Sequence, residues 1–256
     1  MNQSQIGPAW LVLPTYDEAE NIEPFVEAVR AKLPDMARIL IVDDDSPDGT
    51  GQIADRLAEL HENVAVLHRP RKEGLGPAYI AGFRRALAEG AGLVLEMDSD
   101  FSHDPAYLPR LLEAAQSADL VLGSRYVPGG GVRDWGPLRR AVSRGGSAYA
   151  RLVLGLDVLD LTGGFKCFRR EVLEAIDLDS VQARGYAFQV ELTYQAIRRG
   201  FKVVEVPIVF RDRQAGSSKM DGSIVVEAAW KVPMLRFGRG RARGPSAAAE
   251  EGRYTF

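Results

Sequence analysis

Cysteine is almost missing: Cys167 is the only one in 256 residues. No intrachain disulfide can form, and the chain suits a reducing compartment. Histidine is nearly as scarce. His61, His68 and His103 are scattered along the sequence, which argues against a zinc site. No run reaches the roughly 18–20 apolar residues that cross a bilayer, and the N-terminus lacks a charged stretch followed by an apolar signal core. A net charge of −3 gives no electrostatic case for nucleic acid. The first apolar run is not followed by GxGxxG, and neither GxSxG nor GxxxxGK before Ser or Thr occurs anywhere. Dinucleotide, P-loop and nucleophile-elbow chemistry are therefore disfavoured. From these absences a cytoplasmic protein is expected, whose membrane contact, if any, is peripheral.

The hydrophobic share of 46% is ordinary for a globular protein. Its apolar residues fall into short runs at Trp10–Leu13, Ile39–Val42, Val64–Leu67, Leu93–Met97 and Leu120–Leu122. Between them Ile22, Phe25, Val26 and Val29 recur at helical spacing, as do Ile53, Leu57 and Leu60. Tyr79, Ile80, Phe83 and Leu87 repeat the pattern, and so do Leu108, Leu111, Leu112 and Ala115. Strand–helix alternation at this spacing predicts an α/β fold with a mostly parallel central sheet flanked by helices. Residues 127–147 break the pattern with a Gly-rich turn and a basic, small-residue stretch, and read as a long functional loop. Beyond it come a turn at Asp160–Phe165, a helix over Ala187–Arg198, a strand over Val203–Phe210 and a Gly/Ser turn at 216–218. An amphipathic segment follows over 221–237, carrying Ile224, Val225, Ala228, Val232 and Leu235 and broken at Pro233. Residues 238–256 have the composition of a disordered tail.

The polar residues gather where such a sheet binds ligands, beyond the carboxyl ends of its strands. Asp98-Ser99-Asp100 follows the fourth run; paired carboxylates there can hold a hard divalent cation, and equally form a solvated acidic turn. Pro14-Thr15-Tyr16-Asp17-Glu18 ends the first strand at a proline. Tyr16 can stack on a base, or the segment is a capped helix start. Asp43-Asp44-Asp45 can accept from a base or ribose, or form a turn capped by Asp48 or Thr50. Arg125 can steady a ligand or pair with a carboxylate. Arg211 and Lys219 flank a turn suited to phosphate, or sit in surface ion pairs.

In order along the chain, PTYDE at 14–18, VDDDSPDGT at 42–50, GLG at 74–76 and MDSDFSHDP at 97–105 resemble the inverting family-2 glycosyltransferases of GT-A (nucleotide-diphospho-sugar transferase) fold. GSRY at 123–126, GPLRRAVSRG at 136–145, DLTGGF at 160–165 and the Arg211–Lys219 segment narrow the resemblance to the polyprenol-phosphate (dolichol-phosphate) mannose synthases. The resemblance implies one GT-A domain over 1–237, with 127–147 as acceptor loop. Its activity would be inverting transfer of mannose from GDP-mannose to a polyprenyl phosphate with Mg²⁺ or Mn²⁺. Pro14, Tyr16, Glu18, Val42 and Asp44 would line the guanosine pocket, and Asp98, Ser99 and Asp100 would hold ribose, diphosphate and metal. Ser102 stands where some members place a glutamine as third metal ligand. Arg125, Arg211 and Lys219 would surround sugar and diphosphate, while Arg139 and Ser143, four apart, would grip the acceptor phosphate. The lipid substrate implies residence at the inner face of the cytoplasmic membrane, reached through segment 221–237 and its following arginines or through a recruiting membrane protein. Two rivals are a glucosyltransferase using UDP-glucose and a non-catalytic nucleotide-sugar-binding protein of the same fold.

Overall fold

The computed structural model describes residues 6–181, 185–212 and 222–237. Its strands are β1 (Ala9–Thr15), β2 (Arg38–Asp43), β3 (Val64–His68), β4 (Leu93–Glu96), β5 (Leu120–Ser124), β6 (Gly131–Val132), β7 (Lys166–Arg169), β8 (Val203–Pro207) and β9 (Val209–Phe210). Its helices are α1 (Ile22–Arg30), α2 (Thr50–Leu60), α3 (Leu75–Ala88), α4 (Leu108–Ala114), α5 (Pro137–Leu154), α6 (Arg170–Ala175), α7 (Gly185–Arg198) and α8 (Gly222–Phe237). Seven strands form one sheet in the order β3-β2-β1-β4-β7-β5-β8, and all pairs are parallel except the two made by β7. A second, two-stranded sheet joins β6 to β9.

The five apolar runs are all strands, and period-two alternation sorts their side chains between two cores. Trp10, Val12, Leu40 and Val42 face one layer, with α3, α5, α6, α7 and α8; Leu11, Leu13, Ile39 and Ile41 face the other, with α1, α2 and α4. Burial on both faces is why these strands read as unbroken apolar runs.

Pro14 does not end β1. It pairs in register with Val42, because the β4 ladder has already stopped at Val12–Glu96 and leaves that side of β1 an edge where proline is tolerated. The expected loop over 127–147 is helical from Pro137 onward. Only Ser147, Ala150 and Leu154 of α5 are buried, so its first half carries no core pattern to read. The strand over Val203–Phe210 is two strands in different sheets, parted at Ile208. Helix α8 runs on through Pro233, since one proline removes a single intrahelical hydrogen bond. Among its described side chains, Val232 and Leu235 meet the core, while Trp230, Met234 and Phe237 are exposed. Residues 213–221 and 238–256, including the expected turn at 216–218 and the expected tail, lie outside the described residues. Among the described residues, no helix is long and apolar enough to cross a membrane.

Candidate active site

The strand order reverses direction of growth between β1 and β4, which opens a crevice at their carboxyl ends. Loops after β1, β2 and β4 each hold one non-glycine residue at positive φ: Asp17 at 54°, Asp45 at 59° and Phe101 at 59°. Aspartate tolerates that conformation, but a phenylalanine there is strained. Phe101 is kept in place by edge-on packing against Phe25 at 4.9 Å. The resulting kink brings the Ser102 N–H back to donate to Asp100 Oδ1 at 3.0 Å.

Asp98 and Asp100 stand in this loop, Asp98 one-third exposed (33%) and Asp100 buried. The Tyr79 hydroxyl donates to Asp98 Oδ1 at 3.4 Å, and the Ser99 hydroxyl reaches the Pro14 carbonyl at 3.5 Å, tying the β4 loop to β1. Two buried polar atoms here have no hydrogen-bond partner among the described residues, Ser102 Oγ and His103 Nδ1. His103 Nδ1 lies 3.9 Å from Asp98 Oδ2, and its ring packs against Phe165 and Phe210. Burial, aided by the Arg125 cation, pushes the His103 imidazole down to about 4 against the pull of Asp100 and Asp160. Spacing between histidines gave no hint of this; the usable signal was His103's place in the same loop, three residues past Asp100. Two carboxylates and an orphaned hydroxyl oxygen fit a hard divalent cation. Among the described residues no set of three His, Cys, Asp or Glu side chains converges, so ligand and water oxygens must supply the rest of any coordination sphere.

On the β2 side, Asp44 is buried and accepts from Arg69 at 2.5 Å, while Arg69 also meets Glu73 at 2.6 Å. Burial raises the Asp44 carboxyl and the arginine holds it back. Lys72 Nζ lies 3.6 Å from the centre of the Tyr16 ring. Neither Arg69 nor Lys72 carried a signal in the sequence beyond being basic and close to Gly74. The Glu18 N–H donates to Thr50 Oγ1 at 2.9 Å, and Glu18 Oε2 accepts from Asn21 at 2.8 Å. The Val42 side chain belongs to the core.

Across the crevice, Arg125 makes the carboxylate pairing rather than an open cation. Its Nε and Nη2 donate to the two oxygens of buried Asp160, both at 2.7 Å, and Nη2 also reaches Thr162 Oγ1 at 2.9 Å. Phe210 packs edge-on against both His103 at 5.0 Å and Trp135 at 5.2 Å, and Arg139 stacks on Trp135 at 4.4 Å. This aromatic path joins the carboxylate pair to α5. There Arg139 donates to Asp212 at 2.7 Å, and Ser143 Oγ accepts from the Tyr126 hydroxyl at 2.6 Å. Arg139 and Ser143 thus hold separate partners. Arg211 is exposed; its N–H donates to the Ser102 carbonyl at 3.1 Å, and it lines a cavity of about 250 Å³ with Lys32, Phe101 and Asp104. Lys219 lies outside the described residues.

Residues 10–177 match the model of glycosyl transferase family 2. The chain belongs to that family. It is 49% identical over 221 residues to the undecaprenyl-phosphate mannosyltransferase of Micrococcus luteus, covering 86% of this chain and 90% of the relative. It is also 49% identical over 238 residues to the polyprenol monophosphomannose synthase of Mycolicibacterium smegmatis, covering 91% and 89%. Among solved structures, glucosyl-3-phosphoglycerate synthase from Mycobacterium tuberculosis, in complex with Mn²⁺, UDP and glucosyl-3-phosphoglycerate, superposes with a TM-score of 0.66 at 20% identity over 94% of this chain and 82% of that one. The family-2 chain therefore has the GT-A fold.

Proposed function

We propose that this family-2 protein transfers mannose from GDP-mannose to a polyprenyl phosphate at the membrane surface. The carrying observation is the continuous path from Asp98 and Asp100 through His103, Phe210 and Trp135 to Arg139 on α5. In this reading the carboxylate pair would face the diphosphate, and the path links it to an arginine that would meet the acceptor phosphate across the crevice. The two mannosyltransferase relatives support the same sugar and the same class of acceptor.

In the reaction, an acceptor phosphate oxygen attacks the sugar C1, the C1–O bond to GDP breaks, and the α-linked donor becomes a β-linked product. A phosphate monoester has its second pKa near ~6, so the nucleophile is already ionised and no general base is needed. The protein has to place that oxygen and temper its repulsion from the donor. Arg139 would exchange Asp212 for the acceptor phosphate, and Ser143 would turn from Tyr126 to a phosphate oxygen. Asp98 and Asp100, with Ser102, would hold Mg²⁺ or Mn²⁺, which when bound offsets charge on the donor diphosphate. Pro14, Tyr16, Glu18 and Asp44, with the backbone at Val42, would frame the nucleoside; Arg211 and Lys219 would stand toward sugar and diphosphate, while Arg125 stays with Asp160 in the crevice wall.

A lipid acceptor calls for a surface that meets a bilayer. Helix α5 exposes Leu138, Val142 and Leu152 near Arg140 and Arg144, and α8 exposes Trp230, Met234 and Phe237. An apolar and basic face of this kind suits peripheral binding to anionic lipid.

Incubation with radiolabelled GDP-mannose, Mg²⁺ or Mn²⁺ and a short polyprenyl phosphate should give label in the organic extract. Chelator and Asp100→Ala should abolish it, and excess UDP-glucose should not compete. GDP-mannose binding without any labelled lipid would sink the proposal.

A further inference from the structure

Strand β8 closes one edge of the sheet, and its period-two pattern carries an acid where an apolar residue belongs. Val204 and Val206 pack on the core beside α1, α2 and α4, and Val203 packs on the other core. Glu205, two residues past Val203, faces the same helical layer as Val203. A carboxylate turned that way has to be met by hydrogen bonds. Two successive backbone N–H groups meet it: Leu159 donates to Oε2 at 2.8 Å and Asp160 to Oε1 at 2.9 Å. Residues 155–165 connect α5 to β7. Glu205 thus fastens that connection at the very residue whose carboxylate receives Arg125, with bonds strengthened by its charge.

Asp160 in turn fixes Arg125, whose backbone N–H, Nε and Nη2 all donate to it. The guanidinium so held meets three groups. It lies 5.2 Å from the centre of the Tyr126 ring and 5.8 Å from that of Trp135, and it donates to Thr162 Oγ1 at 2.9 Å. Each of the three is the partner of one residue of α5. The Tyr126 hydroxyl donates to Ser143, Trp135 carries Arg139 on its ring, and Thr162 Oγ1 lies 3.2 Å from Ser147 Oγ. Arg139, Ser143 and Ser147 follow one another at intervals of four, so they share one face of the helix. The first half of α5 buries no side chain among the described residues. Its rotation about its own axis is therefore set by these polar and stacking contacts rather than by a core.

We propose that Glu205 is a positioning residue for the acceptor phosphate: through Asp160 and Arg125 it sets the rotation of the α5 face that presents Arg139 and Ser143. The inference rests on the transferase assignment above and adds to it a residue that acts only through others. This chain of contacts does not pass through the loops after β1 and β2, where Tyr16 and Asp44 stand. Its loss should therefore bear on the acceptor and spare the nucleotide.

The test is the steady-state kinetics of the full chain, well below its Tm, with GDP-mannose and a short polyprenyl phosphate, for the parent, Glu205→Gln and Glu205→Ala. Glutamine can accept from only one of the two N–H groups and sets its own NH₂ against the other. In Glu205→Gln the acceptor KM should rise about tenfold, the size expected for one lost hydrogen bond to a charged group, while the GDP-mannose KM changes by less than about twofold. Glu205→Ala should raise the acceptor KM further; if it does not fold, Glu205→Gln carries the test. Joined to Arg139→Lys, Glu205→Gln should raise the acceptor KM by less than the product of the two separate effects, because both act on one contact. A purely structural role would multiply them, and full multiplication would overturn the proposal. So would an unchanged acceptor KM, or equal rises for both substrates. A parent that forms no mannolipid would instead remove the transferase assignment, and the positioning role with it.

Discussion

Asp160 shows how one residue can dominate a wall of the crevice. It accepts from the Arg125 backbone N–H at 2.9 Å as well as from both arms of the guanidinium, with no exposure of its own. Burial alone would raise its carboxyl; the hydrogen bonds and charge of Arg125 more than offset this and hold it below the usual 3.8. A carboxyl depressed in the folded state adds stability above its unfolded pKa and loses it as pH falls through the folded value. Asp160→Asn strands a buried cation and should cost about 3–5 kcal/mol at neutral pH. Urea midpoints should then show a smaller acid-side loss for the variant below pH 3.8 than for the parent. Arg139 makes the opposite case, a partly exposed cation with a replaceable partner. Arg139→Lys keeps the charge but loses the planar fork that matches phosphate, and should raise the acceptor KM roughly tenfold while leaving the GDP-mannose KM alone. A matched rise in both constants would place Arg139 on the donor instead.

At the scale of elements, α3 lies directly on β1 through Gly82, where a Cβ would run into the Val12 methyls and approach Val42. Alanine there gains about 1 kcal/mol of helix propensity, but overpacking a close-packed face typically costs about 1–3 kcal/mol. Gly82→Ala should therefore lower Tm, and an unchanged or raised Tm would show that β1 can yield. The strands and helices up to Gly123 were legible because each buries a full stripe or face, so Ile22, Phe25, Val26 and Val29 recur as the core requires. Helix α5 was not, since its first half buries no side chain among the described residues and its buried positions are Ser147, Ala150 and Leu154. Strand β7 was hidden as well: Lys166 and Arg169 bracket only Cys167 and Phe168, and a lysine in mid-sheet looks like a surface residue until Glu96 and Gln189 are beside it. Sequence order told which loops meet at the crevice; it could not tell that Arg125 is taken up by Asp160, or that Arg69 and Lys72 reach Asp44 and Tyr16. Those pairings depend on distances across the fold, which no local pattern encodes.

For the whole molecule, the exposed large apolar side chains gather on α5 and α8, where Leu138, Val142, Leu152, Trp230, Met234 and Phe237 stand among arginines. Arg236 of α8 donates to the Val153 carbonyl near the end of α5, so the two helices meet there. Vesicles rich in anionic lipid should sediment the protein at low salt, and less so as salt screens the arginines. Leu138→Glu with Leu152→Glu should abolish that binding while leaving GDP binding unchanged; sedimentation that persists in the double variant would move the contact elsewhere.

The place of β7 also has a temporal side. β1, β2, β3 and β4 pair among themselves, whereas β5 pairs only with β7 and β8. As the chain leaves the ribosome, β4 presents a bare edge, and β5 emerges with no neighbour to join for the roughly 40 residues until Lys166–Arg169 is made. At about 5–20 residues per second that is a few seconds of an unpaired, strongly apolar strand. The stretch synthesised in that interval is the one that holds α5, so the exposed edge and the exposed helix face appear together. The nascent chain is stickiest just before its sheet is joined into one.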